Sequence, residues 1–264
     1  MEEEFGIIEG QPKPGLFGSS LTWILELLPY LKKHDIRPNW NIDTHCYGQL
    51  FPSILKEKNV NVTSDNTVQL SVLKKKHEYF FKASEWQLAH DLFFDYFDIA
   101  DDILDSVNSV RAKFGKKTLG VHFRGTDKLG SEATVISKEL VVKHISGFLS
   151  TNDDYDTIFV ATDETVFIGL MTEAFSEKYK LIFTNALRSS NKKPIHGLKS
   201  GCTQAKEAMV DSLALSKCDF VIKTSSCLSD WVKIWNPVID VYNLNTFKEN
   251  WFPQGMIPVK SFIV

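Results

Sequence analysis

Residues 118–134 read TLGVHFRGTDKLGSEAT. The stretch opens apolar, with Leu119-Gly120-Val121, and then turns charged: His122, Arg124, Asp127, Lys128 and Glu132 follow within a few residues. A short apolar run bounded by turn-forming residues reads as a strand covered on both faces, as in a parallel sheet. Two later segments repeat the design. DTIFVATDE (156–164) and DFVIKTSS (219–226) are apolar runs that end in polar clusters. In open α/β sheets, ligands bind beyond the carboxyl ends of the strands. Three polar clusters at such ends therefore predict one shared crevice.

The intervening segments carry helical periodicity. ISKELVVKHISGFLS (136–150), TVFIGLMTEAFSEKY (165–179), TQAKEAMVDSLALSKC (203–218) and CLSDWVKIWN (227–236) read as helices. KLIFTN (180–185) and PVIDVYNLN (237–245) read as further strands, and SSNKKPIHGLKSGC (189–202) as a polar loop. Strand and helix alternation of this kind predicts a parallel sheet with crossover helices.

A similar alternation is expected earlier. Phe5-Gly6-Ile7-Ile8 reads as a strand, QPKPGLFGSS as a loop, and LTWILELLPYLKKH as a helix capped by Ser19 or Ser20. WNIDTHCYG (40–48) reads as a second strand with a polar end. VNVTS, TVQLSVL and EYFFK give short strand signals, and residues 84–113 read as one or two helices with Gly115 as C-cap. The expected fold is α/β, in two halves with parallel sheets, placed at 1–115 and 116–264.

Composition narrows the function class. The chain has 264 residues, 43% of them hydrophobic and 24% charged, an ordinary globular balance. A formal net charge of −3 gives no global attraction to nucleic acid or anionic membrane. Cys46, Cys202, Cys218 and Cys227 form no C-x-x-C pair and read as free thiols in a reducing compartment. No stretch approaches the roughly 20 apolar residues of a spanning helix. MEEEFGIIEG does not read as a signal peptide. The expectation is a cytoplasmic protein without a transmembrane segment.

The polar clusters admit specific chemistry beside ordinary structural roles. His122 and Arg124 share one side of the strand end, where an arginine fork suits a phosphate. Lys128 adds charge; alternatively, Arg124 or Lys128 forms a surface pair with Asp127. Glu132 can accept a proton from an alcohol nucleophile beside Lys128, or be a solvated glutamate at a helix start. Asp163 and Glu164 can hold ligand hydroxyls, orient basic groups, or cap the next helix. Asp211 lies between Val210 and Leu213 in a helix, on a functional or an exposed face. Ser225 and Ser226 can bind phosphate or serve as an N-cap. Phe114-Gly115-Lys116-Lys117-Thr118 fails as a P-loop: Val110 stands where a glycine is needed, and a strand follows. Asp154-Tyr155-Asp156 matches a D-x-D metal pattern but precedes a strand. No H-E-x-x-H or G-x-S-x-G occurs, and no metal site is expected.

The stretch GVHFRGTDKLGSEA resembles the first motif of the α1,6-fucosyltransferases and their bacterial nodulation relatives, roughly G-V-H-V-R-R-T-D-K-x-G-x-E-A. ATDE is similar to that family's A-T-D-D, and MVDSLALSKCDFVIKTSS to its later block with a helix aspartate and a serine pair. GLFGSSL resembles its Gly-rich loop. The likeness spans about residues 115–235 and is weak before that. It implies a GT-B architecture of two Rossmann-like halves, the acceptor-side half at 1–115 and the nucleotide-sugar-binding half at 116–264, and an inverting, metal-independent enzyme that transfers fucose from GDP-fucose to a glycan acceptor.

The resemblance also implies roles. His122 and Asp211 would contact guanine. Arg124 would hold the β-phosphate, with Ser225 or Ser226 adding hydroxyls. Glu132 would be the general base beside Lys128, Asp127 and Asp163 would orient these groups, and Tyr47 would match a tyrosine at the nucleotide. Two departures stand out. The motif's second arginine is Gly125 here, which opens the alternatives of another nucleotide-sugar donor or a non-catalytic nucleotide- or glycan-binding module. A chain of this length is also expected to lack the anchor, coiled-coil stem and SH3-like domain of the animal enzymes. A microbial or viral enzyme acting on a different glycan fits better than core N-glycan fucosylation.

Overall fold

The computed structural model describes residues 15–35, 37–40, 42–44, 46–58, 67–70, 85–126, 132–191, 193, 195 and 202–248. The described residues fall into two compact units, one within Met1–Leu104 and His196–Lys206, the other within Asp105–Ile195 and Glu207–Val264. The expected strand at 5–8 and the strand signals VNVTS and EYFFK lie outside the described residues or almost wholly so.

In the first unit, a π-helical turn at Leu16–Leu21 runs directly into α1 (Thr22–Lys33). The expected serine cap is therefore not used: the chain is already helical at Ser19 and Ser20, and α1 has no side-chain cap. The apolar stripe Ile24, Leu25, Leu28 and Leu31 is fully buried. The reading of 40–48 as one strand is corrected. β1 (Arg37–Trp40) ends at its tryptophan, and β2 (Asp43–Thr44) and β3 (Gly48–Gln49) form a small antiparallel hairpin. Gly48 takes φ 67°, which lets the chain reverse there. β4 (Leu55–Glu57) follows, and β5 (Thr67–Leu70) pairs in parallel with β1. α2 (Trp86–Tyr96) leads into β6 (Phe97–Ile99), antiparallel to β4, and then α3 (Asp101–Arg111), of which only the residues through Leu104 belong to this unit.

The second unit carries the predicted sheet. β7 (Thr118–Phe123), β8 (Thr157–Thr162), β9 (Lys180–Ile182), β10 (Phe220–Lys223) and β11 (Asp240–Asn243) form five parallel strands in the order β11-β10-β7-β8-β9. β7 is buried along its whole length, as its apolar run and central place demand. α4 (Lys138–Thr151) starts at Ser137, whose hydroxyl accepts from the Leu140 amide at 3.1 Å. α5 (Thr165–Phe175) and α6 (Thr203–Leu215, in this unit from Glu207) follow the periodicity, and 227–236 splits at Trp231 into α7 (Cys227–Asp230) and α8 (Val232–Trp235). One core packs Leu119, Val121, Phe123, Ile158, Val160 and Ile222 against Ile145, Phe148, Phe167 and Met171.

Gly115 is not a C-cap. α3 stops at Arg111, and a Cβ on Gly115 would lie 2.0 Å from an Asp156 carboxylate oxygen. Asp156 accepts from the Lys116 amide at 3.0 Å, so close approach excludes a side chain at 115. The D-x-D pair is thereby occupied locally, because Asp154 also pairs with Lys117 at 2.5 Å. None of the four cysteines forms a disulfide among the described residues. No described helix is long and apolar enough to cross a membrane.

Candidate active site

The sheet register sets His122 of β7 beside Lys223 of β10 and Ala161 of β8. The chain leaves the sheet just after these positions, so the HFRGT, ATDE and KTSS segments emerge together at the carboxyl ends of three adjacent strands. Hydrogen bonds then tie them. The Arg124 amide donates to Thr224 Oγ1 at 2.9 Å. The Gly125 amide donates to Asp163 Oδ1 at 2.9 Å, and Thr126 Oγ1 to Asp163 Oδ2 at 2.6 Å. The Arg124 guanidinium pairs with the same carboxylate, Nη1 to Oδ2, at 3.0 Å.

Asp163 therefore does not cap α5. It is buried and gathers a side-chain cation, a hydroxyl and a backbone amide from one loop. A carboxylate taken out of water is retained only where such donors surround it. The N-cap of α5 is Glu164, which has no side-chain cap bond. Glu164 is buried and pairs instead with Lys138, Nζ to Oε2, at 2.7 Å. It also fills the space beside Gly125: a Cβ there would lie 2.6 Å from the Glu164 Cδ and 2.6 Å from the Phe123 ring. Where the resembled motif has an arginine, this loop has no room for one in its present conformation.

His122 is 3% exposed, and its Nδ1 has no hydrogen-bond partner among the described residues. Burial, then the neighbouring Lys223 and Arg124 charges, hold its pKa well below the usual histidine range. The ring is neutral at physiological pH; its other nitrogen engages the Thr224 backbone, which leaves Nδ1 able to accept a hydrogen bond. On the adjacent strand, Lys223 forms a wholly buried ion pair with Asp230 at 2.6 Å.

The two serines separate. Ser225 is committed to structure: its amide donates to Asn245 Oδ1 at 2.7 Å and its hydroxyl to the Asn245 carbonyl at 2.7 Å. Ser226 stands at the N-cap of α7 without a side-chain cap bond.

Asp211 is buried, 6% exposed, which settles its face against solvent. It accepts from Thr184 Oγ1 at 2.7 Å, and burial pushes its carboxyl up to about 6 against the opposing pull of that hydrogen bond and Arg188. The loop after β9 that carries Thr184 also reaches the strand-end cluster, where the Ser189 amide donates to the Asp163 carbonyl at 2.7 Å. Glu132 is exposed, and its carbonyl accepts from the Lys248 amide at 2.8 Å. Asp127 and Lys128 lie outside the described residues. Tyr47 is buried in the first unit, at the β2–β3 turn, with its amide on Thr44 Oγ1 at 3.1 Å.

Reading the sequence missed the Glu164–Lys138 pair, the Lys223–Asp230 pair, Thr184, Arg188 and Asn245. Lys223 was visible as a charge closing an apolar strand. Asn245 carried no signal beyond polarity after a strand.

The geometry defines an α/β protein with a polar site at the carboxyl edge of a parallel sheet. No family model matches the chain, and no curated protein does. Solved structures share part of the fold. The NodZ α-1,6-fucosyltransferase soaked with GDP-fucose aligns at 16% identity and TM-score 0.44, over 71% of this chain and 59% of that one. POFUT1 in complex with GDP aligns at 12% and 0.42, over 61% and 50%. Arabidopsis thaliana FUT1, as an R284K mutant with GDP, aligns at 11% and 0.41, over 61% and 36%. This chain thus spans about a third to three-fifths of the solved chains it matches. Likenesses this weak say nothing of what it binds.

Proposed function

We propose that the chain is an inverting, metal-independent glycosyltransferase that moves fucose from GDP-fucose to a glycan hydroxyl. The observation that carries the reading is the Arg124 guanidinium, fastened by Asp163 at the end of β7 within the very motif that resembles the fucosyltransferases. A guanidinium held by a carboxylate is pre-organised to meet charge that develops on a leaving diphosphate. The acceptor O–H proton passes to Glu132 as the acceptor oxygen bonds to the anomeric carbon. The bond from that carbon to the β-phosphate oxygen breaks, and GDP leaves with the electron pair. His122 and Asp211 face the base, and Ser226 the phosphate. Lys128 and Asp127 complete the charged set, and Tyr47 is assigned, from the resemblance alone, to the nucleotide.

Calorimetric titration of GDP without added metal tests the donor site. Micromolar binding is expected, lost in Arg124→Ala. Full transfer by Glu132→Gln would end the assignment of the base. A second reading has its own support: Glu164 fills the room beside Gly125, so the donor site lacks one cation of the resembled motif. A relative using another nucleotide sugar would show greater turnover of that donor than of GDP-fucose in a panel.

A further inference from the structure

We infer that Asn245 is a positioning residue that couples the donor-side loop after β10 to the segment bearing Glu132; the inference rests on the reading above. Asn245 lies just beyond β11 and is 5% exposed. Its side-chain oxygen accepts from the Ser225 amide at 2.7 Å, and its Nδ2 donates to the Thr134 carbonyl at 2.7 Å. Its own carbonyl receives the Ser225 hydroxyl at 2.7 Å. One side chain thus uses its acceptor on the loop that carries the candidate phosphate ligand Ser226, and its donor on the segment two residues past the candidate base.

The Thr134 side of this bridge is itself stitched down. The Thr134 amide donates to the Thr246 carbonyl at 2.8 Å, and the Thr246 amide to Thr134 Oγ1 at 3.1 Å. Ala133 and Phe247 form an antiparallel bridge, and the Lys248 amide donates to the Glu132 carbonyl at 2.8 Å. Glu132 is exposed and belongs to no helix or strand. Residues 245–248 hold the backbone that aims it, and Asn245 fastens those residues to the loop after β10. In-line displacement needs base and leaving-group clamp in one geometry, and a small misplacement of either is costly in rate.

The test is Asn245→Asp, which keeps an acceptor for Ser225 and removes the donor to Thr134. Thr134→Val accompanies it, because that exposed position loses the link to Thr246 with little risk to folding. Each variant is compared with the wild type by GDP calorimetry, steady-state transfer kinetics and amide hydrogen exchange. The expected result is a GDP affinity within about twofold of wild type, kcat lowered on the order of 10- to 100-fold, donor KM nearly unchanged, and faster exchange at 132–134 and 246–248. Unchanged exchange there, or faster exchange with kcat intact, overturns the coupling. So does loss of GDP binding in step with kcat, which would make Asn245 a support of the donor loop alone. Absence of GDP binding by the wild type would fell the functional reading. The exchange of Asn245→Asp then decides the mechanical coupling by itself.

Discussion

Arg124 and Asp163 are joined by an ion pair, Nη1 to Oδ2 at 3.0 Å, with both side chains largely withdrawn from water. The same carboxylate holds the Gly125 amide and the Thr126 hydroxyl, so it organises the loop and orients the arginine. Removing one partner of a desolvated pair leaves the other uncompensated. Asp163→Asn should therefore lower unfolding stability by about 3 kcal/mol, read by urea denaturation. It should also weaken GDP binding even though Asp163 need not touch the ligand. Arg124→Lys should weaken GDP nearly as far as Arg124→Ala, since an ammonium cannot reproduce the fork.

Gly125 is packed from two sides, by the Glu164 carboxyl and the Phe123 ring. Gly125→Ala should destabilise by about 1–3 kcal/mol, as overpacking of a fixed site does. Gly125→Arg should be worse, although it restores the arginine of the resembled motif. Thermal unfolding of both variants checks the order. A Gly125→Arg protein as stable as wild type would mean that Glu164 swings aside readily.

Lys223 and Asp230 are wholly buried together, and burial raises the Asp230 carboxyl against the pull of its partner. Lys223→Met alone leaves that carboxyl without its cation and should cost about 3–5 kcal/mol. The double variant Lys223→Met/Asp230→Leu should recover most of that loss, because hydrophobic replacement of a buried pair is often neutral. A double-mutant cycle in urea measures the coupling directly.

Asp211 titrates within reach of physiological pH, with its carboxyl pushed from an ordinary 3.8 to about 6. A pKa raised by folding means that the folded state holds the proton more tightly. The contribution is full below about 3.8 and is lost as pH rises through about 6. Asp211→Asn, which keeps an acceptor for Thr184, should flatten this part of the stability profile. Its stability relative to wild type should rise between about pH 4 and pH 7. Glu207 and Arg188 face the same carboxyl and oppose each other, so they shift the midpoint without changing the sign. Melting temperatures across that range decide it. If Asp211 meets guanine N–H groups, GDP affinity should also fall as pH drops below about 6, and Asp211→Asn should abolish that dependence.

Much of this protein was legible in order along the chain. The apolar runs at 118–123, 157–162 and 220–223 are strands covered on both faces, and their shortness and bounding turn residues reveal that. The polar ends of those strands were read as one cluster, and hydrogen bonds join them. The roles of individual side chains were less legible. Asp163 and Glu164 are adjacent carboxylates with equal claim to cap α5, yet one grips Arg124 and the other Lys138. Ser225 and Ser226 are chemically identical neighbours, and only the arrival of Asn245, twenty residues later, commits the first. Local sequence determines which backbone conformation is favoured and which face is apolar. Which donor meets which acceptor depends on segments that become neighbours only when the sheet is assembled. In a desolvated interior, those partners decide whether a charge is structural or available.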